Sequence, residues 1–358
     1  MTILITGGTG LVGQDLVRFL VTDTFYGINP QEIRLLVRKK KSNPNRKSFL
    51  DWCKKKEIDL FHGDLRSEED IFAFTNVVDP EISIIIHCGA IFNFWQPYNL
   101  IYDVNVNGTE RILNAFHRNG IKKLIYLSSV AVYGQIVGSN GRGVVEEQPI
   151  DLKQRKGYEL SKALAEQLVR NYQEKNPKKL ITILRPSGIA GGSGTTTDLF
   201  ARMFFGRFAP LPNGGRDKLS LVDVKDVTAA IIFFMDLSRG NRDVYNVVSY
   251  TSSLKDVIHE LGHALGKKKV KIISIPLVMF KPMYILARVF RIFKRANEKS
   301  ILLPILFDKL GQDVWIDDSK LKSIGFQPKA TLNDSMIKIE NFINNNLWYA
   351  EEKFGFAL

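Results

Sequence analysis

The chain is poor in residues that staple or ligate. Two cysteines, Cys53 and Cys88, and five histidines occur in 358 residues. The two thiols lack disulfide or metal-ligand spacing, which excludes a disulfide-stapled scaffold and leads us to expect a reducing, cytoplasmic setting. Long hydrophobic runs are missing too. No charge-free stretch reaches the roughly 18 residues of a membrane-spanning helix. No internal repeat and no low-complexity linker interrupts the chain. A strand-like pattern begins at residue 2, so no signal or transit peptide is expected. Acidic charge is in deficit, with 37 Asp and Glu against 50 Lys and Arg, a net charge of +13. Much of the excess sits in short runs at 38–41, 54–56 and 267–269. No aromatics are interleaved with these runs, so no nucleic-acid partner is expected.

What is present starts at the N-terminus. Ile3-Leu4-Ile5-Thr6 leads into Gly7-Gly8-Thr9-Gly10-Leu11-Val12-Gly13, and an apolar-periodic stretch (Leu11, Val12, Leu16, Phe19, Leu20) follows. A strand, a glycine turn and a helix in that order can cradle a dinucleotide pyrophosphate. Glycine permits the tight turn and close approach, and the helix N-terminus offers free N–H groups and a positive dipole end. The spacing G-x-x-G-x-x-G carries little weight alone.

Its context carries more. Apolar runs predict strands at 2–6, 33–37, 58–61, 82–86, 122–127 and 180–184, and helical periodicity predicts helices at 11–22, 46–56, 67–76, 98–119 and 154–175. Alternating βαβ units imply an α/β fold, a doubly wound parallel sheet with ligand beyond the carboxyl ends of its strands. After residue 185 the pattern changes. Segment 186–220 is rich in Gly, Ser, Thr and Pro and reads as loops around a pocket. Helices at 224–237 and 253–265, a strand at 244–247 and helical patterns at 277–294, 318–324 and 331–346 follow. We therefore expect a nucleotide-binding domain over 1–185 and a smaller, mostly helical substrate lobe over 186–358, interwoven with the sheet.

Several residues carry chemistry. The second strand ends at Arg38-Lys39 where an NAD-selective site presents an acid, so a ribose 2′-phosphate, and NADP over NAD, is expected. Asp64, before Leu65, either accepts from an adenine amino group or caps the next helix. Tyr158 and Lys162 stand four apart and share a helical face. An ammonium there would lower the phenol's pKa and suit Tyr158 to general acid–base work. Ser128-Ser129 ends the fifth strand, where a hydroxyl could hold a substrate oxygen. His259-Glu260-Leu261-Gly262-His263 matches a zinc motif, but Lys269 stands where a third histidine belongs. Leu254, Val257, Ile258, Leu261 and Leu265 give that helix an ordinary packing face, so no metal is expected.

Taken in order, Thr6 through Gly13, His87-Cys88-Gly89-Ala90, Asn105-Val106-Asn107-Gly108-Thr109, Ser128-Ser129 through Tyr133-Gly134, Tyr158-x-x-x-Lys162 and Arg185-Pro186 resemble the extended short-chain dehydrogenase/reductases. The resemblance spans about residues 1–345. It implies a Rossmann domain with Tyr158 as proton donor or acceptor. Lys162 would bind the nicotinamide ribose, Ser129 would orient the reacting oxygen, and Asn105 would hold the helix geometry and a relay water. Cofactor contacts are implied at Gly7, Thr9, Gly10, Leu11, Val12, Gly13, Arg38, Lys39, Asp64, Leu65, Gly89, Ala90, Ser128, Lys162, Pro186 and Gly188. A homodimer through the helices at 98–119 and 154–175 is also implied.

Within the family, Val130-Ala131 stands where the dehydratases carry Asp-Glu, and Gly188 where many epimerases carry Asn. Arg185-Pro186-Ser187-Gly188-Ile189-Ala190-Gly191 is similar to the 3β-hydroxysteroid dehydrogenase branch, as are Phe94-Trp95-Gln96-Pro97-Tyr98 and the segment from Asp317 to Pro328. An NADP(H)-dependent oxidoreductase is implied, acting on a carbonyl or secondary alcohol of a steroid-like, isoprenoid or β-keto-acyl molecule. A nucleotide-sugar epimerase holding NAD is the alternative. A fatty acyl or thioester reductase, which shares Gly192-Ser193-Gly194-Thr195, is the second. Phe280, Tyr284, Ala287 and Phe290 form an apolar surface, and Lys281, Arg288, Arg291 and Arg295 fall on one helical stripe. Residues 276–295 thus read either as a lid over an apolar pocket or as a helix lying on a membrane surface.

Overall fold

The computed structural model describes residues 1–22, 28–39, 44–92, 96–134, 143–150, 152–153, 155–192, 194, 196–197, 200, 208–239, 242–267, 269–279, 282 and 313–345. The first half alternates as its pattern requires. It runs β1 (Ile3–Thr6), α1 (Leu11–Thr22), β2 (Ile33–Val37), α2 (Pro44–Lys55), β3 (Asp59–His62), α3 (Glu68–Phe74) and β4 (Ile84–His87). Next come α4 (Tyr98–Tyr102), a π-helical stretch (Asp103–Asn107), α5 (Gly108–Arg118), β5 (Lys123–Leu127), α6 (Gly157–Lys175) and β6 (Leu180–Pro186).

Seven parallel strands make one sheet in the order β3-β2-β1-β4-β5-β6, closed on the far side by β10 (Asp243–Val247) from the second half. The order reverses direction between β1 and β4, so a crevice opens at the carboxyl ends of those two strands. Strand side chains alternate between two cores. Ile3, Ile5, Ile84, Ile86, Ile125 and Leu127 face the cluster built with α1 and α2. Leu4, Ile85, Leu124, Tyr126, Ile181 and Ile183 face the cluster built with α3, α5 and α6. Burial on both faces explains why these strands read as continuous apolar runs.

The expected helix at 98–119 carries the π-helical stretch within it, centred on Asn105. Segment 186–220, read as loops, holds three strands, β7 (Gly188–Ala190), β8 (Phe208–Pro212) and β9 (Lys218–Asp223). β7 is only three residues and Pro210 and Pro212 interrupt β8, while β9 alternates (Lys218-Leu219-Ser220-Leu221) but lies in a Gly-, Ser- and Pro-rich segment. α7 (Val224–Phe233) follows β9. β11 (Tyr250–Ser253) pairs with β9 beside β7, and β12 (Lys271–Ile275) pairs with β8. α8 (Leu254–Ala264), α9 (Ser319–Ser323) and α10 (Leu332–Asn345) complete the lobe.

One buried carboxylate ties the lobe together. Asp223 caps α7 by accepting from the Lys225 N–H. It also accepts from Lys338 Nζ at 2.6 Å and from the Ser335 hydroxyl at 2.7 Å, both on α10. Asp226 accepts the backbone N–H groups of Lys329 and Ala330 and the Ser249 hydroxyl.

Candidate active site

The glycine turn is shaped by what it excludes. Gly7 has φ +72°, a region costly for other residues, and a Cβ there would sit 2.7 Å from the Cys88 carbonyl carbon and the Gly89 nitrogen. A Cβ on Gly13 would lie 2.3 Å from the Gly7 oxygen and 2.5 Å from Gly8 Cα, so turn and helix touch backbone to backbone. Gly10 is exposed, and its Cβ would meet only the Gly7 oxygen, at 3.2 Å. The turn is held by Gly10 N–H to the Gly7 oxygen at 2.9 Å and Gln14 Nε2 to the Thr9 oxygen at 3.0 Å. Val12 is buried and Leu11 half-buried at the start of α1. The first N–H groups of α1 have no intrahelical acceptor, so the turn fits a pyrophosphate.

The residues expected to do acid–base work converge at the carboxyl end of β5. Ser129 caps a 3₁₀ turn (Val130–Tyr133), accepting the Ala131 N–H at 3.1 Å, and its side chain also hydrogen-bonds the Tyr158 phenol. Tyr158 is buried, and burial raises its phenol well above the ordinary value, with the Ser129 hydrogen bond opposing. The lowering expected from Lys162 does not prevail here: burial dominates, and Glu159 raises the phenol further. Phe92, 48% exposed, presses edge-on to the Tyr158 ring with centroids 4.4 Å apart.

Asn105 is a brace. Its Oδ1 accepts the Ile91 N–H at 2.7 Å, and its Nδ2 donates to the Ile91 oxygen at 3.1 Å and to Ser161 Oγ at 2.9 Å. Ser161 in turn donates to the Tyr158 carbonyl at 2.7 Å. One amide therefore locks the loop carrying Phe92 to the helix carrying Tyr158. The π-helical turn that presents it is a feature often found at functional sites.

Lys162 Nζ donates to the Leu127 oxygen at 2.7 Å and to the Tyr126 hydroxyl at 3.1 Å, and sits 4.6 Å from the Tyr126 ring centroid. Burial lowers its pKa to about 8, with Glu166 and Cys88 opposing. Tyr126 hydrogen-bonds Thr109. Thr109 donates to the Asn105 oxygen at 2.7 Å, so its bond to His87 Nε2, at 3.1 Å, must be donated by the histidine. His87 Nδ1 then accepts from Thr6 Oγ1 at 2.6 Å, and Thr6 accepts the Gly89 N–H at 3.1 Å. Burial, and secondarily Lys162, lowers the imidazole's pKa to about 3, so the ring is neutral. A buried chain thus runs from the ammonium to the turn beside the glycine loop. Sequence reasoning missed Tyr126, because a lone tyrosine in an apolar strand carries no periodic signal.

Other expected contacts fall into two groups. Ser128 has its hydroxyl on Glu166 at 2.6 Å and its N–H on the Leu184 oxygen at 2.7 Å, so its polar hydrogens are used internally. Glu166 is fully buried and bridges to Arg185 at 2.5 Å and Arg170 at 2.8 Å. Arg185 continues to the Tyr133 hydroxyl at 2.6 Å, which makes the Arg185-Pro186 motif a structural anchor. For Asp64, burial is outweighed by the hydrogen bonds and charge of Arg66, which hold its carboxyl below the usual range, and the Arg66 bridge is 3.0 Å. Leu65 is buried under Gly89, whose Cβ would lie 2.8 Å from it.

The second group remains available. Arg38, Lys39 and Ala90 are exposed, and Arg46 Nη2 reaches the Arg38 carbonyl at 2.7 Å, adding a cation at that strand end. Pro186 is buried at the end of β6 and Gly188 half-buried beyond it. The Ser187 hydroxyl between them is buried without a hydrogen-bond partner, a polar group that a ligand would satisfy. Lys40, Lys41, Phe94, Trp95, Ser193, Thr195 and most of 276–295 lie outside the described residues. Among the described residues no group of three His, Cys, Asp or Glu could hold a metal ion, and no helix is long and apolar enough to cross a membrane.

A family model described as the NAD dependent epimerase/dehydratase family matches residues 3–247. The chain is 26% identical to UDP-glucose 4-epimerase of Vibrio cholerae, over 93% of this chain and 92% of that protein. It is 28% identical to sterol-4-alpha-carboxylate 3-dehydrogenase, decarboxylating, of Saccharomyces cerevisiae, over 53% of this chain and about half (51%) of that enzyme. The fold matches dTDP-glucose 4,6-dehydratase from Bacillus anthracis in complex with NAD, with TM-score 0.71 and 21% identity, over 99% of each chain. It also matches RMD from Pseudomonas aeruginosa complexed with NADPH, with TM-score 0.64 and 19% identity, over 97% of this chain and 100% of that one. The chain belongs to the NAD dependent epimerase/dehydratase family, the extended short-chain dehydrogenase/reductases, and is an NAD(P)-dependent enzyme of that family.

Proposed function

We propose that this chain is an NADP(H)-dependent oxidoreductase acting on a carbonyl or secondary alcohol of a hydrophobic substrate, with Tyr158 as general acid/base. The observation that carries the reading is the Ser129–Tyr158 hydrogen-bonded pair under a half-exposed Phe92. The paired hydroxyls can bind one reacting oxygen, and the exposed part of the Phe92 ring offers an apolar neighbour beside it. When bound, the nicotinamide cofactor supplies or accepts hydride; Tyr158 moves the proton on the substrate oxygen. Gly7, Gly10, Gly13 and the first turn of α1 would hold the pyrophosphate. Arg38, Lys39 and Arg46 would meet a 2′-phosphate, with no acid at the end of β2 to bind a 2′-hydroxyl.

The test is turnover by Tyr158→Phe. NADPH oxidation is screened with lipid ketones, acyl thioesters and sugar nucleotides. The variant is expected to lose about 100-fold or more in rate while NADPH binding changes little. Unchanged turnover overturns the assignment. The end-to-end similarity to a UDP-glucose 4-epimerase favours a second reading, an epimerase. NAD released from purified protein on denaturation, with turnover on sugar nucleotides alone, would replace the first reading with that one.

A further inference from the structure

Strands β8 and β12 form a two-stranded parallel ribbon on the lobe. Ala209 and Leu211 of β8 and Ile272 of β12 face the lobe's core. The register pairs Phe208 with Lys271 and Pro210 with Ile273, so these residues share the opposite face. That face is open at one end, where Phe208 is 47% exposed and Ile273 44%, while Pro212 at the other end is buried. The chain leaves β12 through Pro276, with the Met279 N–H on the Pro276 oxygen at 2.9 Å, and presents Leu277, Val278 and Met279 at 37%, 75% and 55% exposure. Five large apolar side chains are therefore exposed within one ribbon and the helical residues 277–279 that follow it. Scattered surface apolar residues need no explanation, but a cluster of this kind does.

The described charge on the chain leading into β12 is basic. Lys269 and Lys271 are exposed and Lys267 half-exposed on the approach to β12. No Asp or Glu occurs between Glu260 and Glu298, a stretch holding nine Lys and Arg. A surface with an apolar interior and a negative face matches both properties at once.

We infer that the exposed Phe208 and Ile273 of the ribbon, with Leu277, Val278 and Met279 that follow it and Lys269 and Lys271 beside them, dock this enzyme on an anionic lipid bilayer. The apolar side chains enter the headgroup region while the ammonium groups meet lipid phosphates. This deepens the proposed reading by naming where an apolar substrate is met, but it does not depend on turnover, so the two fail separately.

The test is co-sedimentation of the full chain with vesicles of phosphatidylglycerol and phosphatidylcholine, and with phosphatidylcholine alone. Binding is expected to the mixed vesicles and to fall as salt rises. Val278→Asp with Met279→Asp is expected to lower the bound fraction tenfold or more. Lys269→Glu with Lys271→Glu is expected to remove the preference for phosphatidylglycerol. Ile337→Asp, an exposed apolar position on α10, should bind as wild type, and melting temperatures confirm that each variant is folded. Absence of binding by the folded wild type overturns the inference, as does binding that neither double variant changes. Self-association abolished by Val278→Asp with Met279→Asp, without vesicle binding, also overturns it and makes this face an interface between copies.

Discussion

Lys162 shows how a residue's role can exceed its motif. The Tyr158-x-x-x-Lys162 spacing is legible because helical geometry puts both side chains on one face. The acceptors that hold the ammonium, Tyr126 Oη and the Leu127 carbonyl, are not legible, since β5 reaches α6 only through tertiary packing. Burial disfavours the charged form, and a tyrosine oxygen accepting from the ammonium supports it. Removing that oxygen in Tyr126→Phe should push the Lys162 pKa further down. The groups that face it, Glu166, Cys88 and His87, stay in place. NADPH affinity measured by fluorescence across pH should weaken in wild type as the pH passes about 8. In the variant the same loss should come roughly half a unit or more lower. Superimposable curves would show that Tyr126 only fills space.

At the level of elements, the glycine turn separates folding from binding. Gly13→Ala would drive a methyl into the backbone of Gly7 and Gly8, where nothing flexible can yield. It should destabilise the fold by about 1–3 kcal/mol, as overpacking does, with a lower urea midpoint. Gly10→Ala meets one carbonyl at 3.2 Å. Its melting temperature should stay near wild type while NADPH affinity falls tenfold or more, because the added methyl occupies the approach to the phosphate. The sheet was readable for the same physical reason that this turn was. Strands buried on both faces must be apolar throughout, and helices between them must be one-sided. Strands β7 and β8 were not readable, because their short Gly- and Pro-containing runs show no period, and β9, Lys218–Asp223, alternates but stands inside a loop-like composition. The π-helical turn at Asn105 was hidden too, since its residues are compatible with an uninterrupted helix.

For the whole molecule, acid sensitivity follows from His87. The imidazole is neutral when folded, its pKa lowered to about 3, against 6.5 when exposed. Between those values the unfolded chain binds a proton that the folded chain refuses. Its contribution is fully present above pH 6.5 and is lost as pH falls towards 3. Urea midpoints measured at pH 7 and at about 5 should drop for wild type. They should drop less for His87→Gln, which has no proton to gain. Equal slopes would place acid sensitivity in other groups.

The Asp223 pin bears on the order of synthesis. The carboxylate emerges from the ribosome 115 residues before Lys338 and 112 before Ser335. Until α10 arrives, it has its cap on α7 but neither of those partners, and burying a charge without its partners is costly. The seven-stranded sheet, whose last strand β10 ends at Val247, can assemble earlier. The nascent chain should therefore pass through a stage with its sheet complete and its lobe ajar, and closure should wait for residues 331–345.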